Sequence, residues 1–204
     1  MWPLAAVGLR FQCERMRSHH RHAEEHVCSH VQALQRNNYF SGRLLTDRDL
    51  RQEQEYHREL RRRHNRCLHG WGVVCGLELS IRHGEITVTP GLALDCQGDE
   101  IVSPVPTVLC PPSERPFKGA LYVVIHSSEE MIEPVSQIDG ATSYARVIEA
   151  SRFALATQDP ISGHVRRREH WEACGETHGV PLGRLRLVRG SWRLDGRYRR
   201  RWVK

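Results

Sequence analysis

Residues 63–77, RHNRCLHGWGVVCGL, bring two histidines, two cysteines and a glycine-flanked tryptophan into one short stretch. Three readings compete for it: a metal site, a cysteine activated by histidine, or a joint where a helix hands the chain to a sheet. Cys67 is the best nucleophile candidate, with His64 one turn earlier and His69 close behind. A thiolate gains most at a helix N-terminus, where the peptide dipole is positive. Cys67 falls at the opposite end of the helical run, and no GxSxG, HExxH, GxGxxG or phosphate-loop pattern occurs in the chain. The expectation is therefore no enzyme.

Metal chemistry has two other candidates. The first stretch holds Cys13, His19, His20, His22, His26, Cys28 and His30; His22, His26 and His30 are four apart, which suits one helical face. Their spacing matches no zinc finger. Cys174 and His178 form a Cys-x3-His pair, and a tetrahedral zinc would need further ligands, for which Cys75, Cys96 and Cys110 are available. The competing reading is that these thiols pack as small hydrophobes. No cofactor is expected, with a structural zinc as the alternative. The tail DGRYRRRWVK interleaves Tyr198 and Trp202 with arginines, a composition able to stack on single-stranded nucleic acid. One short tail argues weakly for that; the expected reading is a terminal strand whose arginines meet an acidic partner, and nucleic acid is not the expected partner. A zinc- or nucleic-acid-binding accessory module is the second class of function.

The elements that must position these groups read as follows. Thr46 with Asp49 three residues on matches a capping box in its acidic variant. From Asp47 to Leu68 the chain is rich in Arg, Glu, Gln and Leu without Gly or Pro, which predicts a helix of about 33 Å. Leu50, His57, Leu60, His64, Cys67 and Leu68 share one thin, half-polar face, so the helix should lie on a sheet or a partner rather than cross a core. Arg51, Arg58, Arg61, Arg62 and Arg66 are its candidate partner-binding cations. Gly70 sits where a left-handed cap belongs, Gly72 loosens the chain, and Trp71 is free to swing onto a sheet. Thr46, Gly70, Trp71 and Gly72 are thus expected to form a structural joint.

After the joint the apolar period switches to two. Leu77, Leu79 and Ile81 alternate to a turn at His83-Gly84 and return through Ile86 and Val88; a second hairpin turns at Gln97-Gly98, and a last one near Gly190-Ser191. ALYVVIH is a buried-strand run, and RFALA is a further short strand. The prediction is an α+β, mainly β chain: a histidine-rich arm over 1–36, a turn and long arginine-rich helix over 37–70, and an antiparallel β-sandwich or barrel-like domain with a basic tail over 71–204.

The bulk numbers fit one domain with appended elements: 204 residues, 39% apolar, mean hydropathy -0.54. The net charge is +6, and 28 arginines stand against two lysines, Lys118 and Lys204. Arginine suits carboxylates and phosphates, although acidic residues are interleaved nearly everywhere. Seven cysteines without a CxxC pair point to free thiols in a reducing compartment. MWPLAAVGLRF has no basic residues ahead of its apolar run, and no stretch approaches the roughly 18 apolar residues of a membrane span. A protein made in the cytoplasm is expected.

YFSGRLLTDRDLRQEQEYHRELRRRHNRCLHGWGVVCGLELS, followed by VTPGLALDCQGDEIVSP, resembles a family of structural proteins from phage-tail-like contractile injection systems. The likeness runs from about Tyr39 to Pro104 and continues more thinly through LYVVIHSSEEMIEPVS, YARVIEASRFALA and VPLGRLRL. The opening block is also distantly similar to the baseplate adaptor of type VI secretion. The resemblance implies a non-enzymatic subunit of the baseplate or tail end that binds neighbouring subunits in multiple symmetric copies. It implies assembly in the cytoplasm, with release from the cell only as part of a particle.

Overall fold

The computed structural model describes residues 33–112, 119–161 and 178–203. The histidine-rich arm up to residue 32 and Cys174 lie outside the described residues. Among the described residues one α-helix, α1 (Asp47–His64), precedes ten strands: β1 (Gly72–Gly76), β2 (Leu79–Arg82), β3 (Glu85–Val88), β4 (Gly91–Leu94), β5 (Glu100–Ser103), β6 (Thr107–Leu109), β7 (Ala120–Ser136), β8 (Thr142–Ala156), β9 (Val180–Val188) and β10 (Ser191–Leu194). They form three antiparallel sheets, ordered β1-β4-β5, β2-β3-β6 and β10-β9-β7-β8.

The mainly β, antiparallel class agrees with the periodicity, and so do the tight turns. His83 and Gly84 both have positive φ (52° and 87°), as do Arg189 and Gly190 (51° and 80°). Two consecutive left-handed residues match the right-handed twist of the strands they join. The core lies where the sheets meet. Val73, Ile86, Val88, Ile101, Val123 and Ile125 are all fully buried. β7 is covered on both faces at its start: Leu121, Val123 and Ile125 join the core, while Tyr122 stacks edge-on against Tyr198 at 5.8 Å. Two-sided burial is the reason this segment reads as an unbroken apolar run.

Three differences from the sequence reading matter. The α-helix ends at His64 and continues as one π turn, Asn65–His69, closed by the Gly70 N–H donating to the Asn65 carbonyl at 3.0 Å. The short strands expected around ALYVVIH and RFALA are the roots of a 17-residue and a 15-residue strand. β9 pairs with β7 only between Ala120 and Ile125, so the remainder of β7 and β8 leaves the sheet as a two-stranded ribbon. Its Ser, Glu and Pro residues conceal the period, because neither face is buried. Finally, the basic tail, expected as a terminal strand, joins the fold through a single parallel bridge. The Val73 N–H donates to the Arg201 carbonyl at 2.8 Å and the Val203 N–H to the Val73 carbonyl at 3.0 Å, a parallel bridge along β1.

Candidate functional site

The start of α1 is a knuckle built from short-range polar bonds. The Thr46 hydroxyl accepts from the Asp49 N–H at 3.3 Å while the Asp49 carboxylate accepts from the Thr46 N–H at 2.9 Å, a reciprocal capping box. The Thr46 bonds, aided by Arg43, hold the Asp49 carboxyl below the usual carboxylate range. Arg43 bridges Asp49 and the Asn38 carbonyl, each at 2.5 Å, and buried Asn37 donates to the Asp49 carbonyl at 2.6 Å. This bracing leaves the intervening apolar side chains nowhere to go but outward. Leu44 is 84% exposed and Phe40 65%, and Tyr39, Leu45 and Leu50 are exposed beside them. Bulky apolar groups exposed on a braced element make this knuckle the candidate interaction surface.

Along the rest of α1 no residue is buried. Leu60 is exposed, as is Leu68 in the π turn. The helix is therefore held by long polar side chains, not by apolar packing. Arg62 makes a two-pronged bond to Asp99, with Nε at 2.6 Å and Nη2 at 2.9 Å. Arg66 Nη1 donates to the Gln97 carbonyl at 2.5 Å and Nη2 to Glu59 at 2.9 Å. Asn65, swung inward by the π turn, donates to the Gly98 carbonyl at 2.9 Å. The β4–β5 turn receives all three. It is shaped by buried Asp95, whose carboxylate accepts the N–H groups of Gln97 and Asp99, both at 2.9 Å. Burial pushes the Asp95 carboxyl up, against the pull of those backbone donors.

Four of the five candidate arginines thus have tasks within the chain. Arg58 reaches Glu129 at 3.3 Å, and Arg61 lies 4.0 Å from Glu149 and 3.9 Å from Glu100. Glu129 and Glu149 are direct cross-strand partners in β7 and β8, a like-charge pair that the two arginines offset. Among the described residues Arg51 pairs only with Asp47, on its own helix at 3.1 Å, and it is well exposed.

The joint is a stacked assembly. Trp71 is buried; its ring meets the edge of His178 at 4.9 Å and carries the Arg201 guanidinium at 4.5 Å, while Arg201 Nε donates to the Trp71 carbonyl at 2.8 Å. Gly72 has φ +139°, and a Cβ there would stand 2.7 Å from the Arg201 carbonyl oxygen. Gly70 adopts φ 71° as the chain leaves the π turn. The tail arginines serve this joint: Arg200 donates to the Gly76 and Leu77 carbonyls at 3.2 and 2.9 Å, pairs with Glu78 and lies 4.1 Å over Trp202.

Of the metal candidates, His178 and Cys96 are brought together. Although burial opposes it, His178 titrates above its ordinary value, through a hydrogen bond with Cys96 and the Gly179 carbonyl. Cys75 is exposed on β1, whereas Cys96 is buried. Among the described residues no three His, Cys, Asp or Glu side chains gather as a metal site. Cys67 is exposed in the π turn. The bracing residues Asn37 and Arg43 and the outward Phe40, Leu44 and Leu45 escaped the sequence reading. Their only signal was NNYFSGRLLT itself, bulky apolar residues in a turn with no period to bury them.

No protein-family model matches the sequence, and no curated protein matches it. Solved structures do share its fold. One is a chain of the type VI secretion system TssK-TssF-TssG baseplate subcomplex, with TM-score 0.50, 16% identity, and 82% of this chain and 62% of that one covered. Another is a chain of the baseplate complex from the type VI secretion system, with TM-score 0.50, 15% identity, and coverage of 83% and 60%. This chain spans about three fifths of the length of those chains.

Proposed function

We propose that this chain is a non-enzymatic structural adaptor in the baseplate or tail end of a phage-tail-like contractile particle, assembled in the cytoplasm from several copies. The observation that carries the reading is α1: a helix with no buried residue, held to the chain's own sheets by arginine–carboxylate and backbone bonds, and headed by a braced apolar knuckle. A free helix face of this kind suits a groove on another subunit, with Leu44, Leu50 and Leu60 as apolar anchors. Arg51, flanked by the partly exposed Arg58 and Arg61, supplies charge that selects the partner and sets register more than it adds affinity. Many such contacts repeated around a ring gain by multivalency. The shared fold with type VI baseplate chains supports this reading, and no helix among the described residues is long and apolar enough to cross a membrane.

The test is co-purification of the tagged native chain from its own host, with partners identified by mass spectrometry. Sheath, tube or other baseplate subunits are expected, and a Leu44→Asp/Leu50→Asp variant with an unchanged melt should lose them. Recovery of the chain without any particle protein, or turnover of a substrate at Cys67, would overturn the reading.

A further inference from the structure

The ribbon of β7 and β8 has two long outer edges, and they are built differently. β9 pairs with β7 only from Ala120 to Ile125, and among the described residues β8 pairs only with β7. Beyond Ile125 each strand therefore turns a row of main-chain N–H and C=O groups away from its one neighbour. On β7 that edge is guarded. Pro134 has no N–H to offer, Glu133 breaks the regular strand with φ 57°, and Glu129, Glu130 and Glu133 crowd it with negative charge. Strands refuse further neighbours by these means.

The edge of β8 carries none of them. Residues 144–149, YARVIE, are all exposed; Tyr, Val and Ile favour strands, and no Pro, Gly or positive-φ residue interrupts them. Both charges of the run are taken up within the molecule, Arg146 by Glu133 at 2.9 Å and Glu149 by Arg61 at 4.0 Å. Arg61 also lies 3.9 Å from Glu100, where β5 begins, so the open length of the edge runs outward from Glu149. Both faces beside it are apolar in part. By alternation Tyr144 and Ile148 share one face, with Tyr144 opposite Pro134, and Val147 stands on the other opposite Met131. A ribbon of two strands is marginal in water, and a third strand completes its ladder.

We propose that the outer edge of β8 over 143–148 takes that third strand from another polypeptide: an extended, uncharged segment rich in β-branched residues. Main-chain hydrogen bonds supply the affinity, and the side chains flanking the edge supply the selection. Val147 with Met131 on one face, and Tyr144 with Ile148 on the other, favour apolar neighbours. The edge selects an uncharged strand because Arg146 and Glu149 already hold their counter-charges. The inference rests on the adaptor reading for the existence of a partner, but not on the α1 contact.

The experiment is amide hydrogen exchange resolved to single residues over 142–150, in the isolated chain and in the native assembly recovered with the tagged chain from its own host. Free, alternate amides should exchange fast, because every second N–H points away from β7. In the assembly that fast set should slow by at least about tenfold. Arg146→Pro and Val147→Pro make the test specific, since one of these two N–H groups faces β7 and the other faces outward. The outward proline should keep the wild-type melt and lose both the protection and the partner strand, while the inward one disturbs the ribbon. Arg146→Ala, which keeps its N–H, should retain the protection. Particle proteins recovered while alternate amides of 142–150 stay fast would overturn the inference and leave the adaptor reading standing. A protected edge on a polypeptide foreign to any particle would do the reverse. Two proline variants that both keep the protection would also overturn the inference, as would protection that appears in the isolated chain with concentration, which makes a second copy the occupant. A chain recovered with no polypeptide at all would end both readings.

Discussion

Trp71 has its indole held from three sides: buried against the sheet, edge-on to His178 and beneath the Arg201 guanidinium. Replacing it by alanine removes a large buried side chain that the glycine-bordered backbone cannot collapse around, and a loss of about 3–5 kcal/mol is expected in a denaturant melt. Gly98 is held as tightly by geometry. It has φ +90°, and a Cβ would collide with the Arg62 carbonyl oxygen. Gly98→Ala should therefore loosen the helix end as well as lower stability, read as faster amide exchange through 60–69. Asp195 supplies the pH dependence. The Arg197 N–H and then the Arg184 and Arg186 guanidinium groups hold its carboxyl below the usual carboxylate range. The unfolded chain therefore binds protons first, and the stabilisation is present above about pH 4 and lost as the pH falls through the depressed folded value. Asp195→Asn should be less stable than wild type at neutral pH, with the gap closing under acid in melts taken across that range.

At the scale of elements, α1 shows how a helix can be attached without a buried face. Its firmest tie is the Arg62–Asp99 fork, both side chains 26% exposed, so a double-mutant cycle on this pair should give a coupling of about 1–2 kcal/mol. Thr46→Ala should cost about 1 kcal/mol through loss of the cap. Much of this was legible. The capping signature at Thr46, the switch of period after Trp71 and the turns at His83-Gly84 and Gln97-Gly98 all rest on local rules that tertiary contacts reinforce. The destination of the arginines was not, because the carboxylates that receive Arg58, Arg61 and Arg62 lie on β5, β7, β8 and the β4–β5 turn, far along the chain. The ribbon was invisible for a related reason: alternation records burial, and this part of β7 and β8 buries neither face. The tail's place beside β1 was not legible, because that partner precedes it by more than a hundred residues.

At the scale of the molecule, the interior is conventional and two of the outer elements are not. The core between the sheets is closed and apolar, while α1 and the β7–β8 ribbon both display bulky apolar residues that the described residues do not cover. Those two uncovered elements are the observation on which the proposed adaptor role rests. The most direct test is hydroxyl-radical footprinting of Leu44, Leu50 and Leu60 in the isolated chain and in the native assembly recovered with it. Strong labelling of all three when free, and protection of all three on assembly with Trp71 silent in both, is the predicted result. Equal labelling in both states would mean that α1 meets no partner, and the adaptor account would fail.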